Sequence, residues 1–236
     1  MIIAINQPYY FPYIGYFSLI KHTDQFILLD VVQFKKQSWM RRNRILKNGE
    51  SWDYFSVPVV KSSLGTSINE IEINNNNNWG KENLAKLEYY KQKAPYYPEV
   101  RQLLEDFFSH KYHDVLSLNK ASLELICNYL EIEADIKVLS EMDLQFEKPG
   151  EPDEWALNIC KAIGNVQEYW NPPAGKEFYD TGKYEDEGLT IRFLQNNMKP
   201  YDQQRETFEP GLSIIDVMMF NDKNRIHELI DDFKFI

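Results

Sequence analysis

The sequence has little cysteine and no long apolar run. Cys127 and Cys160 are the two cysteines among 236 residues, and their separation does not fit a Cys-x-x-Cys motif. We therefore expect no disulfide framework, no metal site and a reducing, cytoplasmic environment. No apolar segment approaches the roughly 20 residues that cross a bilayer, and the first residues lack the basic start of a signal peptide. We expect no membrane partner.

The chain also lacks an overall positive charge. Its 26 Lys and Arg residues stand against 36 Asp and Glu residues, which gives −10 and an isoelectric point near 5.0. Proteins whose whole surface holds a nucleic-acid backbone are basic, so we expect no nucleic acid as a specific target. Any anion site must then be local. With 43% hydrophobic residues, the chain can bury a continuous core.

The spacing of apolar residues predicts an α/β fold. Residues 2–5 are uncharged and β-branched like a buried strand, residues 15–22 have helical spacing, and residues 26–29 form a second apolar run. A strand–helix–strand unit of this kind indicates a Rossmann-like, mostly parallel sheet flanked by helices. Ligand loops in such sheets lie at the carboxyl ends of the strands, here residues 7–12 and 30–36.

The rest of the pattern predicts a hairpin, a helical insertion and C-terminal helices. Residues 52–60 and 67–73 are strand-like, and the Ser-Ser-Leu-Gly turn at 62–65 favours a hairpin between them or a strand with a returning edge. Residues from about 78 to 132 are predicted to be a helical insertion within one domain that spans residues 1–236. Further strands are predicted at 136–139, 166–170 and 189–193, and further helices at 155–163, 213–220 and 223–233.

A basic window follows the second predicted strand. Residues 31–49 contain six cations and no acid, so this window carries +6 and the rest of the chain −16. Such a concentration of charge suits phosphate, diphosphate or carboxylate, and the alternative is a solvated basic surface. Its position at a strand end favours a binding role. The candidate residues here are Gln33, Lys36, Trp39, Arg42, Asn43 and Arg44.

A second window, rich in aromatic residues, follows the first predicted strand. Two prolines, Pro8 and Pro12, fix its path, and Gly15 allows a close backbone approach at the start of the next helix. An aromatic loop packed on the core is the alternative. The candidate binding residues here are Gln7, Tyr13, Gly15 and Tyr16.

Several motifs together resemble the WbqC-like protein family. The opening resemblance consists of Gln-Pro-x-x-Phe-Pro-x-x-Gly-Tyr-Phe from residue 7, Leu-Asp-x-Val-Gln-Phe-x-Lys from residue 29 and Trp-x-x-Arg-Asn-Arg-Ile from residue 39. Tyr-x-Gln from residue 201 and Pro-Gly-Leu-Ser-Ile-Ile-Asp from residue 210 resemble its closing motifs. The resemblance therefore spans nearly the whole chain. Residues 169–175 depart from the family pattern, which leaves the identity of the substrate open.

The resemblance implies a bacterial protein of surface-polysaccharide and O-antigen assembly. It implies an enzyme that attaches an aminoacyl group, such as glycine, to the amine of a nucleotide-activated amino sugar. The partners would be that sugar and an amino-acid donor, with ATP as a candidate cofactor. The donor and the oligomeric state stay open.

Two alternatives to this function remain. One is a non-catalytic module that binds a nucleotide or sugar nucleotide. The other is an enzyme similar to nucleotidylyltransferases, which carry a His-x-Gly-His motif after their first strand; here the stretch is Tyr13-Ile14-Gly15-Tyr16, without either histidine.

Within this reading each candidate residue has a role. The catalytic candidates are Asp30, Lys36 and Arg42. Asp30 would act as acid or base, and Lys36 and Arg42 would bind phosphate together with Arg44 and meet its charge. Trp39 would pack on a ring, and Asn43 would donate a hydrogen bond. The alternative for Asp30 is a salt bridge to an arginine of the basic window. On the far side, we expect the cleft to be closed by Asn171, Gly175 and Tyr179. Ser213 and Asp216 fit a helix capping box.

Overall fold

A mostly parallel sheet of six strands forms the centre of the computed structural model, which describes residues 1–49 and 51–236. The strands are β1 (Ile2–Asn6), β2 (Gln25–Leu28), β3 (Arg42–Lys47), β4 (Ser51–Ser56), β5 (Ile136–Val138), β6 (Glu168–Asn171), β7 (Thr190–Asn196) and β8 (Phe233–Phe235). The six-stranded sheet has the order β5-β2-β1-β6-β7-β8, and only β8 pairs antiparallel to its neighbour.

The strand order reverses between β1 and β6. From β1 the chain moves outward to β2 and then to β5 at one edge, and it returns to the other side of β1 with β6. A crevice opens at such a reversal because the connections from the two strands leave in opposite directions. The Rossmann-like α/β prediction is confirmed.

Helices cover both faces of the sheet. They are α1 (Ile14–His22), α2 (Trp79–Lys86), α3 (Tyr97–Ser109), α4 (Val115–Tyr129), α5 (Glu154–Ile163), α6 (Thr181–Asp186), α7 (Ile214–Phe220) and α8 (Lys223–Asp231). Alternation along β1 separates two cores: Ile3 and Ile5 pack in the core that includes α5, whereas Ala4 belongs to the larger core with α1, α4 and α7. Among residues 1–49 and 51–236, no helix has the length and apolar character needed to cross a membrane.

Helices α2 to α4 occupy the segment predicted to be helical, and the assignment of residues 1–236 to one domain stays a prediction. The predicted hairpin is present only in part. Val59 forms an antiparallel bridge with Ile73, and the Val60 amide donates to the Glu72 carbonyl at 2.9 Å. Strand β4 pairs instead with β3, and Ile68–Glu70 is a short 3-10 helix. Strand β3 lies within the basic window. Its residues Asn43, Ile45 and Leu46 are buried, so this part of the window is not a solvated basic surface.

Candidate functional site

A cleft of about 810 Å³ lies at the carboxyl ends of β1, β2 and β6, at the reversal of strand order. We call it the switch-point cleft. Its lining consists of Ile5, Asn6, Gln7, Tyr9, Leu29, Val32, Gln33, Lys35, Pro152, Trp155, Asn171, Pro172, Ala174, Gly175, Phe178 and Tyr179. The cleft therefore combines segments from both halves of the sheet.

The loop between β1 and α1, which forms one wall, is held through its carbonyl oxygens. The Tyr16 hydroxyl donates to the Gln7 carbonyl at 2.8 Å, and the Asn119 amide donates to the Pro8 carbonyl at 2.8 Å. The buried amide of Asn43 donates to the Phe11 carbonyl at 2.8 Å. A loop with so many satisfied carbonyls keeps one path before any ligand arrives.

The same loop contains strained backbone that the C-terminal motif supports. Phe11 has φ of 41°, in the left-handed region where a residue with a side chain costs about 1–3 kcal/mol. The Ser213 hydroxyl donates to the Phe11 carbonyl at 2.8 Å, and the Ile214 amide donates to the Pro12 carbonyl at 2.8 Å. The glycine at 15 is needed because a Cβ there would lie 2.5 Å from the ring of Tyr13.

Asn171 and its neighbours form the opposite wall. The Asn171 amide donates to the hydroxyls of Tyr169 and Tyr179, with the latter contact at 3.3 Å. A Cβ at Gly175 would collide with Oδ1 of Asn171, so the glycine lets the loop close on that side chain. Burial raises the pKa of both tyrosines, which keeps their hydroxyls protonated near neutral pH.

The lining of the switch-point cleft is mostly neutral and polar. Lys35 is the only cation in the lining that the structure describes, and no carboxylate joins it there. The Nδ2 atom of Asn6, at the end of β1, is buried and has no hydrogen-bond partner among the described residues. A buried donor without an acceptor is costly, and this one belongs to a residue of the cleft lining.

The arginines of the basic window do not belong to the described lining of this cleft. Arg42 lies 4.1 Å from the ring centre of Tyr54 and donates to the Gln37 carbonyl at 3.3 Å. Arg44 pairs with Glu209 at 3.3 Å and donates to the carbonyl oxygens of residues 210 and 211. Other protein groups therefore bind both guanidinium groups, and neither arginine belongs to the lining that contains Gln7.

Asp30 and Trp39 also lie outside the cleft lining. Asp30 is fully buried, and its carboxylate accepts from the amide of Ser140 at 3.1 Å and from the hydroxyl of the same residue. Trp39 is 41% exposed, and the guanidinium of Arg44 lies 6.0 Å from its ring centre. Asp30 thus holds the start of the 30–36 segment against residue 140.

The predicted site residues divide into three groups. In the cleft lining are Gln7, Gln33, Asn171, Gly175 and Tyr179. Tyr13, Gly15, Tyr16 and Asn43 shape or hold the loop behind it. Outside the lining are Asp30, Lys36, Trp39, Arg42 and Arg44.

Sequence reasoning missed several lining residues, notably Asn6, Lys35 and Trp155. The position of Asn6 as the last residue of an apolar strand could have identified it. Lys35 belonged to the basic window but could not be separated from its neighbours by sequence alone. Trp155 follows the helical pattern of α5, which favours a core role.

The capping-box prediction is half right. Ser213 caps α7 by accepting from the Ile215 amide at 3.3 Å. Asp216 is instead buried, and it accepts from the Tyr90 hydroxyl at 2.7 Å and the Tyr201 hydroxyl at 2.6 Å. Burial, as the largest cause, raises the pKa of this carboxyl to about 6, against the lowering effect of its hydrogen bonds.

Comparisons with known proteins agree with the motifs. A model of the WbqC-like protein family matches residues 7–228. The chain is 30% identical over 222 residues to "Uncharacterized protein Rv1507c" of Mycobacterium tuberculosis, an alignment that covers 93% of each chain. No solved structure matches the chain significantly. Because the family match includes both the loop after β1 and the C-terminal motif that supports it, the chain belongs to the WbqC-like protein family.

Proposed function

We propose that this protein transfers an aminoacyl group, such as glycyl, to the amine of a nucleotide-activated amino sugar during assembly of a surface polysaccharide. The observation that carries the proposal is the switch-point cleft, because open α/β sheets bind ligands where the strand order reverses. The family resemblance suggests the reaction, and the lining of the cleft has chemistry that fits its acceptor substrate.

The side chains of the cleft suit a sugar nucleotide. Amides such as those of Asn6, Gln7 and Asn171 both donate and accept, as sugar hydroxyls and acylamino groups require. The rings of Tyr9 and Trp155 offer flat apolar surface to a sugar or a base. Lys35 offers a positive charge for a phosphate.

The electrostatics of the cleft also suit an amine that must react. In the proposed reaction, the sugar nitrogen attacks the carbonyl carbon of an activated donor, the C–N bond forms, and the bond to the leaving group breaks. Only the unprotonated amine attacks. A nearby cation disfavours the ammonium form, and Lys35 stands in a described lining without carboxylates. In this scheme Asp30, with its carboxylate bound to Ser140, is a positioning residue.

Calorimetry with UDP- and dTDP-linked amino sugars tests the binding step. We expect Gln7→Ala and Lys35→Ala to weaken binding about tenfold each, since each removes one polar or charged contact. Arg42→Ala is the matched control, because Arg42 lies in β3 and outside the lining. Failure of every sugar nucleotide to bind would remove the proposal, and a loss of binding confined to Arg42→Ala would move the site to strands β3 and β4.

Mass spectrometry tests the transfer step. The bound amino-sugar nucleotide is incubated with candidate amino acids, with and without ATP, and a gain of one aminoacyl residue is expected. Binding without any gain in mass would favour the alternative of a non-catalytic module. A gain that survives Asp30→Ala is expected, because this buried carboxylate is bound to Ser140 and positions the 30–36 segment.

A further inference from the structure

A second groove adjoins the switch-point cleft. Its volume is about 530 Å³, and it runs between residues 33–36 and residues 59–64. Gln33 and Lys35 line both spaces, so the groove and the cleft are continuous. We call it the lysine groove because Lys35, Lys36 and Lys61 all line it.

The three lysines of this groove have no ion pair with any residue of the described chain. Many other lysines are paired, as Lys21 is with Asp231 at 2.7 Å and Lys183 with Glu154 at 2.8 Å. Single exposed lysines such as Lys81 and Lys148 also have no ion pair in the described chain, but only this groove brings three together. The described lining of the groove contains no acid, although the whole chain has an excess of acids. Its positive charge is therefore available to an external anion.

Hydrogen bonds hold the two sides of the lysine groove together. The Phe34 amide donates to the Thr66 carbonyl at 2.9 Å, and the Ile68 amide donates to the Val32 carbonyl at 3.0 Å. The Thr66 hydroxyl donates to the Ser63 carbonyl at 2.9 Å and closes the turn. The loop that contains Lys61 is thus fixed beside Lys36 before a ligand binds.

We propose that the lysine groove binds the phosphate group of the aminoacyl donor, which would then be an acyl phosphate or an acyl adenylate. This inference rests on the proposed function, since it places the donor beside the amino sugar in the cleft. The sugar nitrogen forms the C–N bond, the C–O bond to phosphate breaks, and the phosphate leaves with the electron pair. The amine proton passes to solvent. The lysines stabilise the negative charge of the departing phosphate.

Inorganic pyrophosphate is the probe for this groove. By calorimetry at low ionic strength, we expect it to bind the wild-type protein, both alone and after saturation with an amino-sugar nucleotide. The double variant Lys36→Ala/Lys61→Ala should bind it at least about tenfold more weakly, because two charged contacts are lost. The control Lys81→Ala/Lys148→Ala changes the net charge equally at exposed positions outside the groove.

The outcomes separate this inference from the proposed function. A loss of pyrophosphate binding in the double variant, with sugar-nucleotide binding changed less than about twofold, supports a donor subsite. Equal pyrophosphate binding by the variant and the control overturns it. Parallel loss of both ligands also overturns it, since the groove would then hold the sugar nucleotide itself. If pyrophosphate binds but no sugar nucleotide does, the proposed function fails while the phosphate subsite stands.

Discussion

Gly175 allows its loop to pack closely against Asn171 in the far wall of the cleft. Because a Cβ at this position would collide with Oδ1 of Asn171, Gly175→Ala must displace that side chain from its tyrosine partners. We expect sugar-nucleotide binding to weaken about tenfold, and the free energy of unfolding to fall by about 1 kcal/mol from overpacking. Calorimetry and urea unfolding measure the two effects.

Gly150→Ala is the control for that substitution. A Cβ at position 150 would meet one carboxylate oxygen of Glu154 at 3.3 Å, outside the cleft lining. Its binding should equal that of the wild type. Unchanged binding by Gly175→Ala would contradict a role of Asn171 in the site.

The carboxyl of Asp216 makes the free energy of unfolding depend on pH. The pKa of its carboxyl rises from 3.8 to about 6 in the folded protein, so the folded state binds this proton more tightly than the unfolded state. Its contribution to stability is therefore complete below about pH 4 and is lost as the pH rises through 6. The loss is on the order of 3 kcal/mol.

The variant Asp216→Asn isolates this effect. The difference in unfolding free energy between wild type and variant should favour the wild type more at pH 4 than at pH 7. Other carboxyls, such as that of Glu154 with a pKa of about 2, have the opposite dependence but are present in both proteins and cancel. A difference that does not change between pH 4 and pH 7 would show that Asp216 does not titrate there.

At the scale of elements, the N-terminus of α7 stabilises the loop after β1. Ser213 caps the helix and also donates to the carbonyl of Phe11, the residue with positive φ. Ser213→Ala should lower the free energy of unfolding by about 1–3 kcal/mol, since it removes both bonds. Ser117→Ala is the control, because its hydroxyl bonds only the exposed start of α4. Equal losses of unfolding free energy in the two variants would show that the bond from Ser213 to the Phe11 carbonyl adds nothing beyond an ordinary exposed hydrogen bond.

The sequence was sufficient to predict elements whose apolar spacing is simple. β1, α1 and β2 were predicted within a residue or two of their bounds, because a buried parallel strand is uniformly apolar and an amphipathic helix has its own period. β3 was missed because its outward residues are arginines, and charge concealed the alternation with Asn43 and Ile45. β8 is a short edge strand next to a helix and has no comparable signal.

The candidate site was predicted only in part, because contacts distant in the sequence decide which charged residues face the cleft. The loop after β1 could be located because ligand loops follow parallel strands, and Gln7 does line the cleft. Sequence alone could not separate Lys35, which faces the cleft, from Arg44, whose charge is bound by Glu209 more than 160 positions later. Such long-range partners exist only in the folded chain.

On the scale of the whole molecule, the fold redistributes the charge of the basic window. Arg41, Arg42 and Arg44 contact carbonyls, rings or a carboxylate within the protein. Lys35 and Lys36 stay without acidic partners among the described residues, and Lys61 joins them from another loop. The lysine groove therefore carries a local positive charge, although the net charge of the chain is −10.

The switch-point cleft joins segments that are distant in the sequence, and ligand binding should therefore stabilise both halves of the sheet together. With an amino-sugar nucleotide at 100 times its Kd, the free energy of unfolding should rise by about 2.7 kcal/mol. Amide hydrogen exchange should slow both at residues 5–9 and 29–35 and at residues 171–179, which line opposite walls. Gln7→Ala should reduce protection on both walls at a fixed ligand concentration. Protection confined to residues 5–35 would contradict a ligand that spans the reversal between β1 and β6.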